Sequence, residues 1–233
     1  LIFLYEILPG ADIGFAIIAL TILIKLLLWP LMSQSLRSQK ALQTLQPKID
    51  ELKTRFGDDR EGLAKAMMEL YKTEKVNPLA SCLPLLIQLP VLIALYQVLL
   101  GGFASETLGQ LYGFIPNPGE INHIFLGFID LSVPNVWLAI LSGLFQFFQT
   151  RMMIMQRPPK EVQGSKGALD ESMLASMNKS MLYFMPVMTV VIGASLPAGL
   201  TLYWVTVNIV SIIQQYLILS RNNTNIETKK IPS

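Results

Sequence analysis

Residues 13–32 read IGFAIIALTILIKLLLWPLM, twenty positions interrupted only by Thr21, Lys25 and Pro30. About 20 helical residues cross the hydrocarbon core of a bilayer, so this run is long enough to span one. Four more apolar runs follow. Leu79–Leu100 holds Ser81, Gln88 and Gln97 as polar members, with Pro84 and Pro90 inside it. Val136–Met155 starts apolar and then meets Gln146, Gln149, Thr150 and Arg151. Met181–Leu196 is short, and Leu200–Leu219 follows Pro197-Ala198-Gly199, a turn signal that pairs the last two runs as a helical hairpin. Composition agrees with a membrane chain. Of 233 residues, 52% are hydrophobic and 15% charged, against roughly 25% charged in an average soluble domain. Mean hydropathy is +0.48. That is too little charge to cover a cytosolic enzyme, and disorder needs low hydrophobicity and high charge. The expected fold is an all-α membrane protein with five transmembrane helices and a cytoplasmic antiparallel helical hairpin.

Charge orients the five runs. Seventeen of the eighteen basic residues lie in Ser33–Val76, in Arg151–Ser180 or in the tail from Arg221 onward; the eighteenth is Lys25. The alternate connections hold Glu6, Asp12, Glu106, Glu120 and Asp130 and no Lys or Arg. Short Lys/Arg-rich loops stay cytoplasmic, so the amino terminus is expected outside and the carboxyl terminus inside. The organisation is then an outer interfacial segment 1–12, spans 13–32, 77–100, 136–155, 181–196 and 200–219, and a cytoplasmic hairpin 33–76. An outer loop 101–135, a cytoplasmic loop 156–180 and a tail 220–233 complete it. Leu1–Leu8 reads either as a short interfacial helix or as a frayed end. At 16 residues, Met181–Leu196 makes about 24 Å of helix against a core of roughly 30 Å, which predicts local bilayer thinning unless the helix runs on toward Met173. The apolar stretch Ile124–Ile129 is too short to span and is expected to lie on the membrane.

Between the first two spans, Leu42, Leu45, Ile49, Leu52 and Phe56 recur at heptad spacing. Gly57 ends that helix, Asp58 with Glu61 forms a D-x-x-E start signal, and Leu63, Met67 and Leu70 continue the seam. Two amphipathic helices joined by a short turn fold back on each other, with Pro47 kinking the first arm. The alternative is a merely helical linker. Nine basic and seven acidic residues suit the hairpin to docking on a partner or on lipid headgroups.

Lys25 is the anomaly. A lysine well inside a span costs about 2.5–3.5 kcal/mol on insertion scales, and its stem reaches only part of the way to the interface. Either it snorkels, or it faces a wet cavity that Thr21, one helical turn away, shares. Gln88, Gln146, Trp204 and Asn208, with Gln149 and Gln215, are the polar groups that other spans offer to such a cavity. Each alone reads as an interhelical hydrogen bond. No span carries Asp or Glu, so no proton or sodium relay is evident. With one cysteine, Cys82, and one histidine, His123, neither a disulfide framework nor a Cys/His zinc cluster is possible. No metalloprotease or hydrolase motif occurs, and a net charge of +2 does not suggest nucleic acid.

These residues resemble a known family. Leu45-Gln46-Pro47, Val76-Asn77-Pro78-Leu79, Cys82, Pro84, Leu86-Ile87-Gln88, Phe184-Met185-Pro186, Pro197-Ala198-Gly199-Leu200, Leu202-Tyr203-Trp204, Asn208 and Ile213-Gln214-Gln215 are similar to the YidC/Oxa/Alb membrane protein insertases. The similarity runs from about residue 10 to 220. The resemblance implies a non-enzymatic insertase and chaperone of the bacterial inner membrane, without cofactor or metal. It implies a hydrophilic groove open to cytoplasm and lipid, into which Lys25 attracts polar or acidic substrate segments and which Thr21, Gln146 and Trp204 line by matched position; Gln88 and Asn208, polar residues of the second and fifth spans, are expected beside them. Nascent membrane proteins and membrane lipids are the implied partners, with the Sec translocon, the ribosome and signal recognition machinery as further candidates. The family commonly has Arg where this chain has Lys25, so charge attraction transfers and bidentate geometry does not. The large outer domain of some bacterial members has no counterpart in these residues. A small-solute transporter or channel, or a scaffold subunit, are the rival readings; no repeated broken helices favour the first, and the second has no use for Lys25.

Overall fold

The computed structural model describes residues 1–8, 12–57, 59–77, 79, 83–100, 121–154 and 182–228. Nine helices and one short β-ladder occur among them. They are α1 (Ile2–Ile7), α2 (Ile13–Leu27), α3 (Trp29–Thr44), α4 (Gln46–Phe56), α5 (Arg60–Thr73) and α6 (Leu83–Leu100). Strands β1 (Ile124–Phe125) and β2 (Ile129–Asp130) follow, then α7 (Val136–Ile154), α8 (Leu182–Gly193) and α9 (Ala198–Thr228). Of the five expected spans, α9 alone is long and apolar enough by itself, over Ala198–Ile218. The pair α2 and α3 also qualifies, but only as a span bent by 66°.

That bend corrects the reading of residues 13–32 as one straight helix. Pro30 sits in the first turn of α3, where its missing N–H does no harm; carried on as part of α2 it would lose the bond to the Leu26 carbonyl and set its ring against that oxygen. The helix therefore breaks at Leu28. Trp29–Met32 belongs to a new helix that turns across the bundle, and α2 is only about 22 Å long at 1.5 Å per residue. The second half of α7 carries Gln146, Gln149 and Arg151, which lowers its apolarity. Helix α8 is described only from Leu182, so its continuation toward Met173 lies outside the described residues.

The same turn redraws the hairpin. Ser33–Thr44, read as part of its first arm, packs on α2, α6 and α9 instead. The Gln43 side-chain amide donates to the Met153 carbonyl of α7 at 2.8 Å, and Gln214 of α9 donates to the Trp29 carbonyl and the Ser33 hydroxyl. Helices α4 and α5 pack against each other and are joined by Gly57, whose φ of +52° suits a residue without a side chain. Leu45 and Ile49 of the seam are buried, and Lys48 pairs with Glu74 across the two arms. Pro47 stands in the first turn of α4, so it starts a helix rather than kinking one. The start signal also moves by one: Asp59 caps α5 by accepting from the Gly62 N–H at 2.9 Å, while Asp58 lies outside the described residues.

Helix α9 is the central post, packed on α7, α2, α6 and α3. One end of the bundle is a dry apolar core. Tyr5 of α1, Ile13, Ala16 and Ile17 of α2, Leu95 and Leu99 of α6, Leu138 of α7, and Ala198, Leu200, Leu202 and Tyr203 of α9 meet there. Ile121, Phe125 and Leu131 of the connection close it. Backbone groups within it are satisfied by the chain itself. The first N–H groups of α9, on Ala198 and Gly199, donate to the carbonyls of Val133 and Leu131 at 2.9 and 3.0 Å, filling orphan positions that water would otherwise take. The β-ladder is a departure from the all-α expectation. The Ile124–Ile129 run reverses at Leu126 and Gly127, both at positive φ, and pairs Ile124 with Asp130 and Phe125 with Ile129. Asp12 locks it down. This buried carboxylate caps α2 by accepting from Gly14 N–H at 2.8 Å and accepts from Leu126 N–H at 3.0 Å.

Helices α7 and α8 approach closely at Gly143. A Cβ built there would stand 2.4 Å from the Val190 side chain and 2.9 Å from the Pro186 carbonyl oxygen. The side chain can rotate; the carbonyl cannot move without α8. Gly143→Ala is expected to destabilise the protein by about 1–3 kcal/mol, as overpacking does, read as a lower thermal midpoint in detergent. An unchanged midpoint would show that the two helices are free to separate.

Candidate functional site

Thr21 and Lys25 lie one turn apart on the same face of α2, below the apolar core. Thr21 is buried, and its hydroxyl donates back to the Ile17 carbonyl of its own helix at 2.6 Å. That habit of helical threonines leaves its oxygen available only as an acceptor. Lys25 is 9% exposed. Its ammonium donates to the hydroxyl of Ser211, on α9, at 2.9 Å. The ion pairs found among the described residues involve Lys48, Lys53 and Lys65, not Lys25. A buried cation is therefore met by a neutral hydroxyl, which satisfies one of its three N–H groups and none of its charge.

Across from Lys25, α6 contributes Gln88, whose amide donates to the Tyr203 hydroxyl of α9 at 2.5 Å. Thr21, Lys25, Gln88 and Tyr203 together line a recess of about 270 Å³, counting its open mouth, with apolar walls from Ile24, Val91 and Val207. Tyr203 marks the border of this recess. Its ring belongs to the apolar core and its hydroxyl faces the polar side, the two-ended behaviour expected of a buried tyrosine.

The six residues expected to line one groove are divided by the structure. Thr21, Lys25 and Gln88 share the recess. Gln146 of α7 accepts from the Thr189 hydroxyl of α8. Asn208 of α9 donates to the Ser142 carbonyl of α7 at 3.2 Å. Trp204 is half-buried against the apolar core. Ser211 and Tyr203 are the site residues that the cavity argument missed. A signal for them existed: Tyr203, Val207 and Ser211 recur every four residues, one stripe along α9, and Ser211 is the polar member one turn beyond Val207. A second recess of about 330 Å³ lies between α3, α7 and α9, with Gln43, Met153 and Gln215 among its walls. Among the described residues no three His, Cys, Asp or Glu side chains are placed to hold a metal ion.

Chemically, the arrangement offers an uncompensated positive charge and a few neutral hydrogen-bonding groups, in a pocket closed at one end by the dry core. Low dielectric strengthens the attraction of such a charge for an acidic group over its value in water. The bond from Lys25 to Ser211 is expected to carry part of the α2–α9 packing. A double-mutant cycle with Lys25→Met and Ser211→Ala should return a coupling of about 0.5–2 kcal/mol, the range for interhelical hydrogen bonds in bilayers. Additive effects would separate the two residues.

Comparison with known proteins follows the same outline. A family model described as 60Kd inner membrane protein matches residues 3–225. The membrane protein insertase YidC of Rhizobium meliloti (strain 1021) is 37% identical over 227 residues, 93% of this chain and 35% of that protein. The membrane protein insertase YidC of Thiobacillus denitrificans is 41% identical over 208 residues, 88% of this chain and 32% of that protein. A crystal structure titled an active YidC insertase with the first transmembrane domain resolved superposes with a TM-score of 0.54 at 26% identity. It covers 88% of this chain and 40% of that one. The chain spans about a third of the length of the curated relatives it matches.

Proposed function

The chain belongs to the 60Kd inner membrane protein family, the YidC-like group that its residues resemble, and from that premise we propose that it is a membrane protein insertase and chaperone. In this reading no covalent bond is made or broken. The work is to lower the barrier for a short polar segment crossing the bilayer, by giving it a wet, shortened path beside the apolar helices. The single observation that carries the reading is Lys25: a cation buried between α2 and α9 with, among the described residues, only the Ser211 hydroxyl as partner. Such a charge is expensive to keep in a membrane, and an acidic or polar segment entering from below is the ligand that would relieve it.

Five spans are proposed, the first formed by α2, the second by α6 with the residues before it, and the others by α7, α8 and α9. The bias of basic residues supports an amino terminus outside and a carboxyl terminus in the cytoplasm. The apolar core then seals the outer end, and the recess with Lys25, Thr21 and Gln88 opens toward cytoplasm and lipid. Gln146, Trp204 and Asn208 enter the groove when α7 and α9 part, because their present partners lie in the interfaces with α8, the core and α7. The pair α4–α5 is the cytoplasmic docking arm, shorter than 33–76 because α3 is held by the bundle. Nascent membrane proteins and lipids are its proposed partners, with the Sec translocon, the ribosome and signal recognition machinery next in line.

The charge test is direct. Lys25→Arg should preserve insertion, Lys25→Ala should impair substrates with acidic translocated segments most, and Lys25→Glu should be worst, since it reverses the attraction. Insertion of radiolabelled substrates into vesicles, scored by protease protection, reads the order. Normal insertion by all three variants, with a cysteine at position 25 inaccessible to alkylation from the cytoplasm, would refute the groove.

Topology is checked independently. Single cysteines at Ser105 and Ser165 should react with a membrane-impermeant maleimide from the outside and the inside respectively. Reaction of both from one side would overturn the five-span arrangement whatever the chemistry of Lys25.

A further inference from the structure

The turn between β1 and β2 is built against the usual preferences of an aqueous loop. Leu126 and Gly127 occupy the two central positions of a reversal closed by Phe128 N–H donating to the Phe125 carbonyl at 3.2 Å, with φ of +54° and +82°. Positive φ at both positions favours Asn-Gly or Asp-Gly. Leucine there strains the backbone, because its Cβ crowds a carbonyl oxygen. Nor is the strain offset by burial: Leu126 is 52% and Phe128 76% exposed. The conformation is imposed by Asp12, whose buried carboxylate accepts the Leu126 N–H from 114 residues away. An apolar pair is thus held outward, in a rigid turn, where an asparagine would fit the backbone better.

The surface around it says what meets it. The connection leads directly to α7, whose first residues Val136 and Trp137 are exposed, Trp137 at 80%. From there Ile140, Leu141, Leu144 and Phe148 continue an exposed apolar stripe along one face of α7, while Leu138, Ala139 and Ser142 are buried on the other. That stripe is the side a spanning helix turns to lipid, and a tryptophan at its head is the residue that favours the membrane–water boundary. Two residues back from the tip the character changes. Asp130 accepts from the Ser132 N–H and hydroxyl at 2.9 and 2.6 Å, bonds that hold its carboxyl below the ordinary range and keep it charged. The root of the hairpin therefore carries a charge, with Ile124 and Val133 exposed beside it, while its tip carries apolar side chains alone.

We infer that the Leu126-Gly127-Phe128 turn is an interfacial anchor, whose two apolar side chains insert into the headgroup–acyl boundary of the bilayer at the sealed end of the bundle. The inference rests on the proposed reading that α7 spans the membrane. Through the Asp12 bond the anchor is tied to the start of α2, so the sealed end is held at a fixed depth in the leaflet.

The experiment uses the whole chain with Cys82→Ser, reconstituted in phosphatidylglycerol–phosphatidylethanolamine vesicles, and an environment-sensitive nitrobenzoxadiazole label on single cysteines at Phe128, Ser132 or Leu144. Lipids carrying a nitroxide near the headgroup should quench the label at 128 strongly and at 132 weakly, and a deeper nitroxide should quench the label at 144. Leu126→Asn should leave the thermal midpoint equal or higher, because the turn prefers asparagine, while quenching at 128 is lost. Quenching at 144 but not at 128 would overturn the anchor and leave the spanning reading intact. A blue-shifted but unquenched label at 128 would mean a protein partner covers the tip, and would also overturn it. Absence of quenching at both 128 and 144 would remove the spanning reading and the anchor together.

Discussion

A single ammonium held between two helices, with no carboxylate paired to it among the described residues, is the constraint around which this bundle is arranged. Lys25 reaches Ser211 across 186 residues of sequence, and that contact requires α2 and α9 to lie side by side. A buried charge without a counter-ion is tolerable only next to polar groups and space for water. Thr21, Gln88 and Tyr203 are the polar groups on the remaining side. Had an aspartate stood opposite, the pair would be more stable and less useful, because the charge would already be spent. The stability given up at this one place must come from elsewhere in the bundle.

It comes from the opposite end. There the apolar side chains of α1, α2, α6, α7 and α9 meet, with Asp12 buried beside them and used twice as an acceptor of backbone N–H groups. The start of α9 takes its missing hydrogen-bond partners from the carbonyls of Leu131 and Val133. Backbone groups left unpaired in an apolar setting cost free energy comparable to a lost hydrogen bond, so these bonds make the seal specific as well as dry. The two ends are coupled through Tyr203, whose ring packs in one and whose hydroxyl serves the other.

The break at Leu28 distributes the remaining parts. Because Pro30 starts a new helix, α3 turns by 66° and crosses under the bundle, where Gln43 and Gln214 fasten it. Helices α4 and α5 pack chiefly on each other. Their seam of Leu45 and Ile49, capped by Asp59 and turned by Gly57, makes them a small unit of their own.

How much of this was legible from residues alone divides along a physical line. The apolar runs, the 3.6-residue and heptad periodicities, the stop at Gly57 and the oddity of Lys25 are local properties of consecutive side chains, and the sequence by itself determined them. The runs Val136–Met155, Met181–Leu196 and Leu200–Leu219 overlap α7, α8 and α9, and the motifs that mark the family were readable in it. The partner of Lys25, the split of Gln146, Trp204 and Asn208 away from the recess, the docking of α3 and the hairpin held by Asp12 were decided only by the tertiary structure. Each is a contact between segments tens to hundreds of residues apart, and no spacing along the chain encodes which of several polar side chains a packed helix will present. Pro30 was visible from the start, yet residues 13–32 read as one span, and the break at Leu28 came from the structure. Where the chain went next was set by the faces of α6 and α9 waiting to be covered.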